Sequence, residues 1–264
     1  MSLVTVEVSD LVATVTLARP PVNALSADMM RELATVFTDL GTRTDAAVAI
    51  LTAPGEKIFC AGADVNESDR RYVRRELLAS ESVRDLVDPG DVVRRCLFAI
   101  SGGDLPVVAA VNGGALGAGA ALVASCDIVI ASQNAYLKLP EIDVGVLGGG
   151  RHVQRLVGAA MAREMMYSAR SVDAAEMYRL GAASRVVAPA DLMSTAHEVA
   201  AAIAAKSPIA LRLAKQVMSR VESLPLEQGY QLEQDYTARV SRFEDSREAR
   251  MAWLEKRPPH WTWR

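Results

Sequence analysis

The sequence predicts an α/β fold followed by a helical C-terminal region. Three observations carry this. Up to about residue 206, short apolar runs suited to strands alternate with segments that are apolar at helical spacing. From Pro208 onward only helical patterns remain. Between them, the apolar run Val107–Val111 breaks at Asn112-Gly113-Gly114 and resumes through Gly117-Ala118-Gly119 into the small residues Ala120 to Ala124. That stretch reads as a strand, a glycine turn and a helix start. The expected division is an α/β core at residues 1–206 and a helical region at 207–264.

The elements follow in order. Val4–Val8 and Val12–Ala18 alternate as two antiparallel strands would, with Ser9-Asp10 as the turn. Arg19-Pro20-Pro21-Val22-Asn23-Ala24-Leu25 is a loop. Ser26 is a suitable N-cap for a helix with Met29, Met30, Leu33, Val36, Phe37 and Leu40 on one face, ended by Gly41. Ala47–Leu51 is a buried-type strand, and Ile58–Asp64 follows the turn Ala53-Pro54-Gly55. Asp69–Arg95 is the most polar stretch, with Arg70, Arg71, Arg74 and Arg75 close together. It reads as a mobile helical flap or as a solvated charged helix, with a helix at Val92–Ile100. Ile128–Ala131 is another buried strand. Arg151–Val157, Ala160–Ala169 and Val172–Leu180 read as helices, and Arg185–Val187 as a short strand. Asp191–Lys206, Pro208–Val221, Pro225–Arg242 and Ser246–Lys256 are helices.

Bulk properties narrow the function classes. At 264 residues the chain holds one large domain or two small ones. It is 50% hydrophobic and 23% charged, as ordinary globular proteins are. A net charge of -3 points to no nucleic-acid partner. No apolar run reaches the ~18 residues of a membrane span. The start MSLVTVEVSD lacks the basic and apolar regions of a signal peptide. Cys60, Cys96 and Cys126 are odd in number and widely spaced, which suits reduced thiols in the cytoplasm. His152, His197 and His260 form no metal-ligand pair, so no metal site is expected.

The glycine-rich stretch admits two readings. Amides of a helix's first turn have no internal partner and can hold an anion, with small side chains leaving room for it. The same small residues also suit close helix–strand packing. A dinucleotide turn is the rival from another class, with Glu141 about 20 residues downstream as a ribose ligand. Against it, the glycine order is G-x-x-G-x-G and the stretch lies mid-chain.

Read together, IFCAGADV (Ile58–Val65), AAVNGGALGAGAALVASCDI (Ala109–Ile128) and LPEIDVG (Leu139–Gly145) resemble the enoyl-CoA hydratase/isomerase family, the crotonase superfamily. The similarity runs from Ala18–Leu25 to Ser246–Trp261. The resemblance implies a spiral of ββα units, with C-terminal helices that pack in a homotrimer or a dimer of trimers. It implies an acyl-CoA thioester as substrate, with coenzyme A entering as part of it and no separate cofactor. It implies that the backbone amides of Ala63 and Ala118 bind the thioester oxygen, with Ala61, Gly62, Asp64, Val65 and Gly117 around them. In the family an aromatic and a lysine of the tail reach the nucleotide end of CoA; Trp253 and Lys256 match them. Asn66 stands where a lysine is common.

Two glutamates flank the substrate in the family's hydratases. Glu141 matches one. The other position is Ala121, which cannot carry a proton. The resemblance therefore implies an enoyl-CoA hydratase acting through an oxyanion hole and one glutamate. An enoyl-CoA delta-isomerase and a non-catalytic acyl-CoA binder are the alternatives. Arg151-His152 replace a glycine pair usual in the family, so His152 is a possible auxiliary group. Asp143 is another, if an extended segment puts it on the face of Glu141. Asp64 is expected to cap backbone amides, and Cys60 to pack.

Overall fold

The computed structural model describes residues 2–68 and 87–264. The N-terminal half of the core holds β1 (Val4–Ser9), β2 (Val12–Leu17), α1 (Ala27–Thr42), β3 (Val48–Thr52), β4 (Ile58–Cys60), α2 (Val65–Ser68) and α3 (Asp91–Ser101). Then come β5 (Val107–Val111), β6 (Gly114–Leu116), α4 (Ala118–Ala124), β7 (Ile128–Ser132), β8 (Tyr136–Lys138) and α5 (Gly150–Ser168). The chain closes with β9 (Ser171–Asp173), α6 (Ala174–Arg179), β10 (Arg185–Val187), α7 (Leu192–Ala204), α8 (Pro208–Val221), α9 (Leu226–Val240) and α10 (Glu244–Glu255). Arg70, Arg71, Arg74 and Arg75, and with them the choice between a flap and a solvated helix, lie outside the described residues.

Two sheets organise the core. One has six strands in the order β1-β2-β3-β5-β7-β10, the other four in the order β4-β6-β8-β9. The first pair is antiparallel; β2, β3, β5, β7 and β10 run parallel. Each of the pairs β3/β4, β5/β6 and β7/β8 sends its first strand to the large sheet and its second to the small one. A helix follows each pair, so the chain winds as repeated ββα units.

The central strands are apolar without alternation because both faces of the large sheet are covered. Ala49, Leu51, Ala109 and Val111 pack into the main core with α1, α3 and α4. Val48, Ile50, Val108 and Ala110 pack on the other face against Leu192, Ala196 and Ala200 of α7. At the start of α1, the Ser26 side chain accepts from the Met29 amide, as its sequence position predicts.

The small sheet is where sequence expectation and structure differ. β4, β6, β8 and β9 are three residues long each, too short to show a period. The expected glycine turn at 112–117 therefore contains β6. The expected helix from Val172 starts as β9, and α6 begins only where Asp173 caps the Glu176 amide at 2.8 Å. Gly41 does not end α1. It lies inside the helix, where a Cβ would come 3.1 Å from an Asp104 carboxylate oxygen. The two helices expected at 151–169 are present, following each other across Gly158, whose φ 78° and ψ 167° are non-helical.

The C-terminal helices attach through polar clamps. Arg212 donates to the carbonyls of Arg43 (2.8 Å) and Ala46 (3.0 Å). Ser219 donates to Ser101 O at 2.7 Å. Lys215, its side chain 2% exposed, donates to both Asp127 oxygens at 2.6 and 2.7 Å. Asp127 in turn accepts from the Val107 amide at the start of β5. Among the described residues no helix is long and apolar enough to cross a membrane, and no cluster of His, Cys, Asp or Glu suits a metal ion.

Removing one partner of a buried ion pair strands the other charge. Asp127→Ala, which leaves the buried Lys215 ammonium without this partner, should lower the unfolding free energy by about 3 kcal/mol, read as a drop of several degrees in Tm by calorimetry. A loss under about 1 kcal/mol would mean that this pair behaves as an exposed one does.

Candidate active site

Two loops meet at backbone distance. The link from β4 to α2 passes through Gly62 at φ +92°. A Cβ there would lie 2.6 Å from Leu116 O and 3.5 Å from the Ala118 nitrogen. A Cβ on Gly119 would lie 2.4 Å from Cys60 O. Only glycine permits these approaches. The glycines thus admit a neighbouring chain, which answers the dinucleotide reading: the space beside them is filled by β4 and its link.

The contact sets the peptide of Ala63 beside that of Ala118. Leu25 donates to Gly62 O at 2.7 Å and accepts from the Asp64 amide at 3.0 Å. This parallel bridge between Leu25 and Ala63 turns the Ala63 N–H away from Leu25. Ala118 is the first residue of α4, where an amide has no intrahelical partner. Gly117, just before it, is pinned by its amide donating to Lys138 O at 2.9 Å. Neither the Ala63 nor the Ala118 amide donates to a backbone acceptor among the described residues.

Glu141 opens a 3-10 turn, Glu141–Val144, behind Pro140. The residue is 9% exposed. Its Oε1 lies against glycine backbone: a Cβ on Gly117 would come within 3.0 Å of it, and one on Gly148 or Gly149 within 3.5 Å. Its Oε2 is buried and has no hydrogen-bond partner among the described residues. Burial pushes the carboxyl above its ordinary range, against a weaker opposing backbone hydrogen bond. A proton-carrying group therefore abuts the segment that leads to Ala118. Ala121 is 1% exposed within the main core.

The other expected site residues take distinct places. Ala61 is half-buried, Gly62 and Gly117 are buried, and Ala63 and Val65 are exposed. Asp64 caps the amides of Asn66 and Glu67 at 3.0 and 3.3 Å, and pairs with Arg19 at 2.5 Å. Burial raises its pKa, but the Arg19 bond and these amides outweigh that and hold it below the usual carboxylate range. Cys60 is buried, its thiol donates to Asn23 O, and burial pushes its pKa up to about 12, so it packs and does not attack.

His152 lies in the first turn of α5, three residues after Gly149. Its ring is 5.9 Å from that of Phe98. Burial first, then Arg155 and Arg151, keep it below its ordinary pKa, so the neutral imidazole is favoured. Asp143 needs correcting: its segment is a 3-10 turn and not extended, so it is exposed while Glu141 is buried. Trp253 is 80% exposed, and Lys256 is also exposed.

Sequence reasoning passed over Gly148 and Gly149, which line Glu141, and Arg19, which holds Asp64. The triple glycine at 148–150 was a signal for the former. Arg19 carried none, since its partner is 45 residues away.

The chain is similar to known proteins over most of its length. The family model described as enoyl-CoA hydratase/isomerase matches residues 7–264. A short-chain-enoyl-CoA hydratase of Clostridium acetobutylicum is 36% identical over 250 residues, 93% of this chain and 92% of that protein. A carnitinyl-CoA dehydratase of Proteus mirabilis is 34% identical over 257 residues, 95% and 94% of the two chains. The crystal structure of an enoyl-CoA hydratase from Bacillus anthracis superposes with a TM-score of 0.88 at 32% identity, covering all of both chains.

The raised pKa of Glu141 makes a stability prediction. The folded protein holds that proton more tightly than the unfolded chain does. The stabilisation is present at acid pH and is lost as pH rises from the unfolded value through the folded one. Glu141→Gln cannot ionise, so it should exceed the native protein in stability by about 1–3 kcal/mol above neutral pH, with the gap closing in acid. Urea unfolding at about pH 5 and about pH 8 checks this. A gap of the same size at both would show that Glu141 does not titrate between them.

Proposed function

This chain belongs to the enoyl-CoA hydratase/isomerase family, and on that premise we propose that it is an enzyme that processes acyl-CoA thioesters, with enoyl-CoA hydration as its first reading. The observation that carries the proposal is the buried carboxyl of Glu141, unpartnered at Oε2 among the described residues and set against Gly117, where two segments cross whose Ala63 and Ala118 amides donate to no described backbone acceptor. Those amides, of Ala63 and Ala118, donate to the thioester oxygen. They stabilise the enolate-like charge that grows there, each donor being worth about 3–4 kcal/mol at the transition state. Being main-chain groups fixed by the fold, they need no reorganisation when the charge appears.

Glu141 moves the proton. In hydration, the carboxylate takes a proton from the water that adds at C3 and returns one to C2. In isomerisation, it takes a proton from one carbon of the acyl chain and returns it to another. The names of the hydratase and dehydratase relatives favour water addition or removal. The isomerase reading is favoured by Ala121, which leaves Glu141 without a second carboxyl.

Ala61, Gly62, Asp64, Val65 and Gly117 frame the donors and the thioester. Of the auxiliary residues, His152 has support: it falls on the same turn of α5 as Gly149, whose Cβ position is 3.5 Å from Glu141 Oε1. Coenzyme A enters as part of the substrate, and no further cofactor is needed for this chemistry. Residues 207–264 serve assembly into a homotrimer or dimer of trimers. Exposed Leu226 (89%) and Trp253 (80%) support this, as an apolar surface that a neighbour would cover. There Trp253 and Lys256 reach the nucleotide end of CoA. Reduced, buried cysteines suit a cytoplasmic setting.

Mass spectrometry of 2-enoyl- and 3-enoyl-CoAs incubated in heavy-oxygen water, then in deuterated water, tests the reading. One labelled water gained means hydration. Deuterium uptake with a moved double bond and no added water means isomerisation. Glu141→Gln should lower kcat by ~100-fold or more. A loss of only a few-fold would remove Glu141 from the chemistry. Binding without turnover of any acyl-CoA would leave the silent binder.

A further inference from the structure

The two proposed donors are held differently. Ala118 continues into a helix whose first bond, from the Ala121 amide to Gly117 O, closes at 3.0 Å. Ala63 sits in a short link between β4 and α2, next to a glycine in a permissive conformation. The direction of its N–H is set from outside, by the two hydrogen bonds of Leu25 that flank it. Leu25 belongs to the irregular segment 19–25, so something must hold that segment in place.

One side chain does so from both sides. Arg19 Nη1 donates to Ala24 O at 2.7 Å, and Nη2 donates to the Asp64 carboxylate at 2.5 Å. Ala24 immediately precedes Leu25, and Asp64 immediately follows Ala63. The guanidinium therefore spans the Leu25–Ala63 bridge, gripping the strap and the donor link together. Asp64 passes the constraint on, because its other oxygen caps the first amides of α2. The strap also grips β4, with the Asn23 side-chain amide donating to Phe59 O at 3.1 Å and its oxygen accepting from the Arg19 amide at 3.0 Å. The ion pair is shielded, with side chains 30% (Arg19) and 11% (Asp64) exposed. A forked planar donor suits two acceptors in different directions; a lysine ammonium offers one compact charge.

We infer that Arg19 is a positioning residue that aims the Ala63 amide at the thioester oxygen, acting through Ala24 and Asp64 and resting on the donor role proposed above. It touches none of the reacting atoms. A misaimed donor weakens the transition state more than the bound substrate, so the loss should fall on kcat and spare KM.

The experiment compares Arg19→Met, Arg19→Lys and Asp64→Asn with the native enzyme. Steady-state kinetics use whichever enoyl-CoA the isotope panel identifies. Isotope-edited infrared spectra of a bound acyl-CoA labelled with carbon-13 at the thioester carbonyl report its polarisation directly. Arg19→Met should lower kcat by ~10–100-fold with KM within about threefold of native, and the carbonyl stretch should move back toward its frequency in water. Arg19→Lys should recover only part of both. Asp64→Asn still has an oxygen to cap Asn66 and Glu67, so it isolates the link to Arg19, and it should behave as Arg19→Met does. It also serves if Arg19→Met fails to fold. A native kcat and carbonyl stretch in Arg19→Met or in Asp64→Asn would overturn the inference, as would a loss confined to KM. Glu141→Gln should keep the carbonyl shift while losing turnover. A native protein that binds acyl-CoA with no carbonyl shift would overturn the donor pair itself and this inference with it.

Discussion

The site depends on one close crossing of two backbones. Where the link after β4 passes the start of α4, Gly62 and Gly119 stand within van der Waals reach of the facing carbonyls of Leu116 and Cys60. A methyl group at either position would drive the chains apart and separate the Ala63 peptide from that of Ala118. The rest of the core keeps that crossing in place. β4 and β6 pair in parallel beneath it, β8 pairs with β6, and α4 is buried from Gly119 to Ala124. Small residues in α4 are thus a packing requirement first, and the free amide at its start is a consequence.

The carboxyl at the site obeys the same economy of space. Glu141 is fitted against glycine backbone at 117, 148 and 149, and burial raises its pKa against the weaker pull of one backbone hydrogen bond. Asp64, the residue after Ala63, has Arg19 and two amides, which hold it below the usual carboxylate range. Two carboxyls in one neighbourhood therefore differ in role because their surroundings differ. One is left able to carry a proton, and the other is spent on holding a loop.

Further out, α8 fastens the C-terminal helices to the ends of core strands. Lys215 reaches Asp127 just before β7, and Arg212 reaches the carbonyls that lead into β3. The last residues fold back on the same helix, with Trp263 over the Arg212 guanidinium at 4.8 Å and Asp245 accepting from Thr262. The apolar side chains left outward on α9 and α10, among them Leu226 and Trp253, find no partner in these clamps.

Much of this was legible in the residues alone. The long helices, the buried strands β3, β5 and β7, the Ser26 cap and the helical ending follow from periodicity and capping, which act within a few residues. The three family segments pointed to Glu141, Ala63 and Ala118, and to Ala121 in place of a second carboxyl. Tertiary structure decided what depends on distance across the chain. It built the second sheet from strands too short to show a pattern, and turned the segment of Asp143 into a 3-10 turn. It also put Gly148 and Gly149 against Glu141, and joined Arg19 to a loop 45 residues away. Periodicity is local, so it records which face of an element is buried. It does not record which backbone lies opposite, and this site is made where backbones meet.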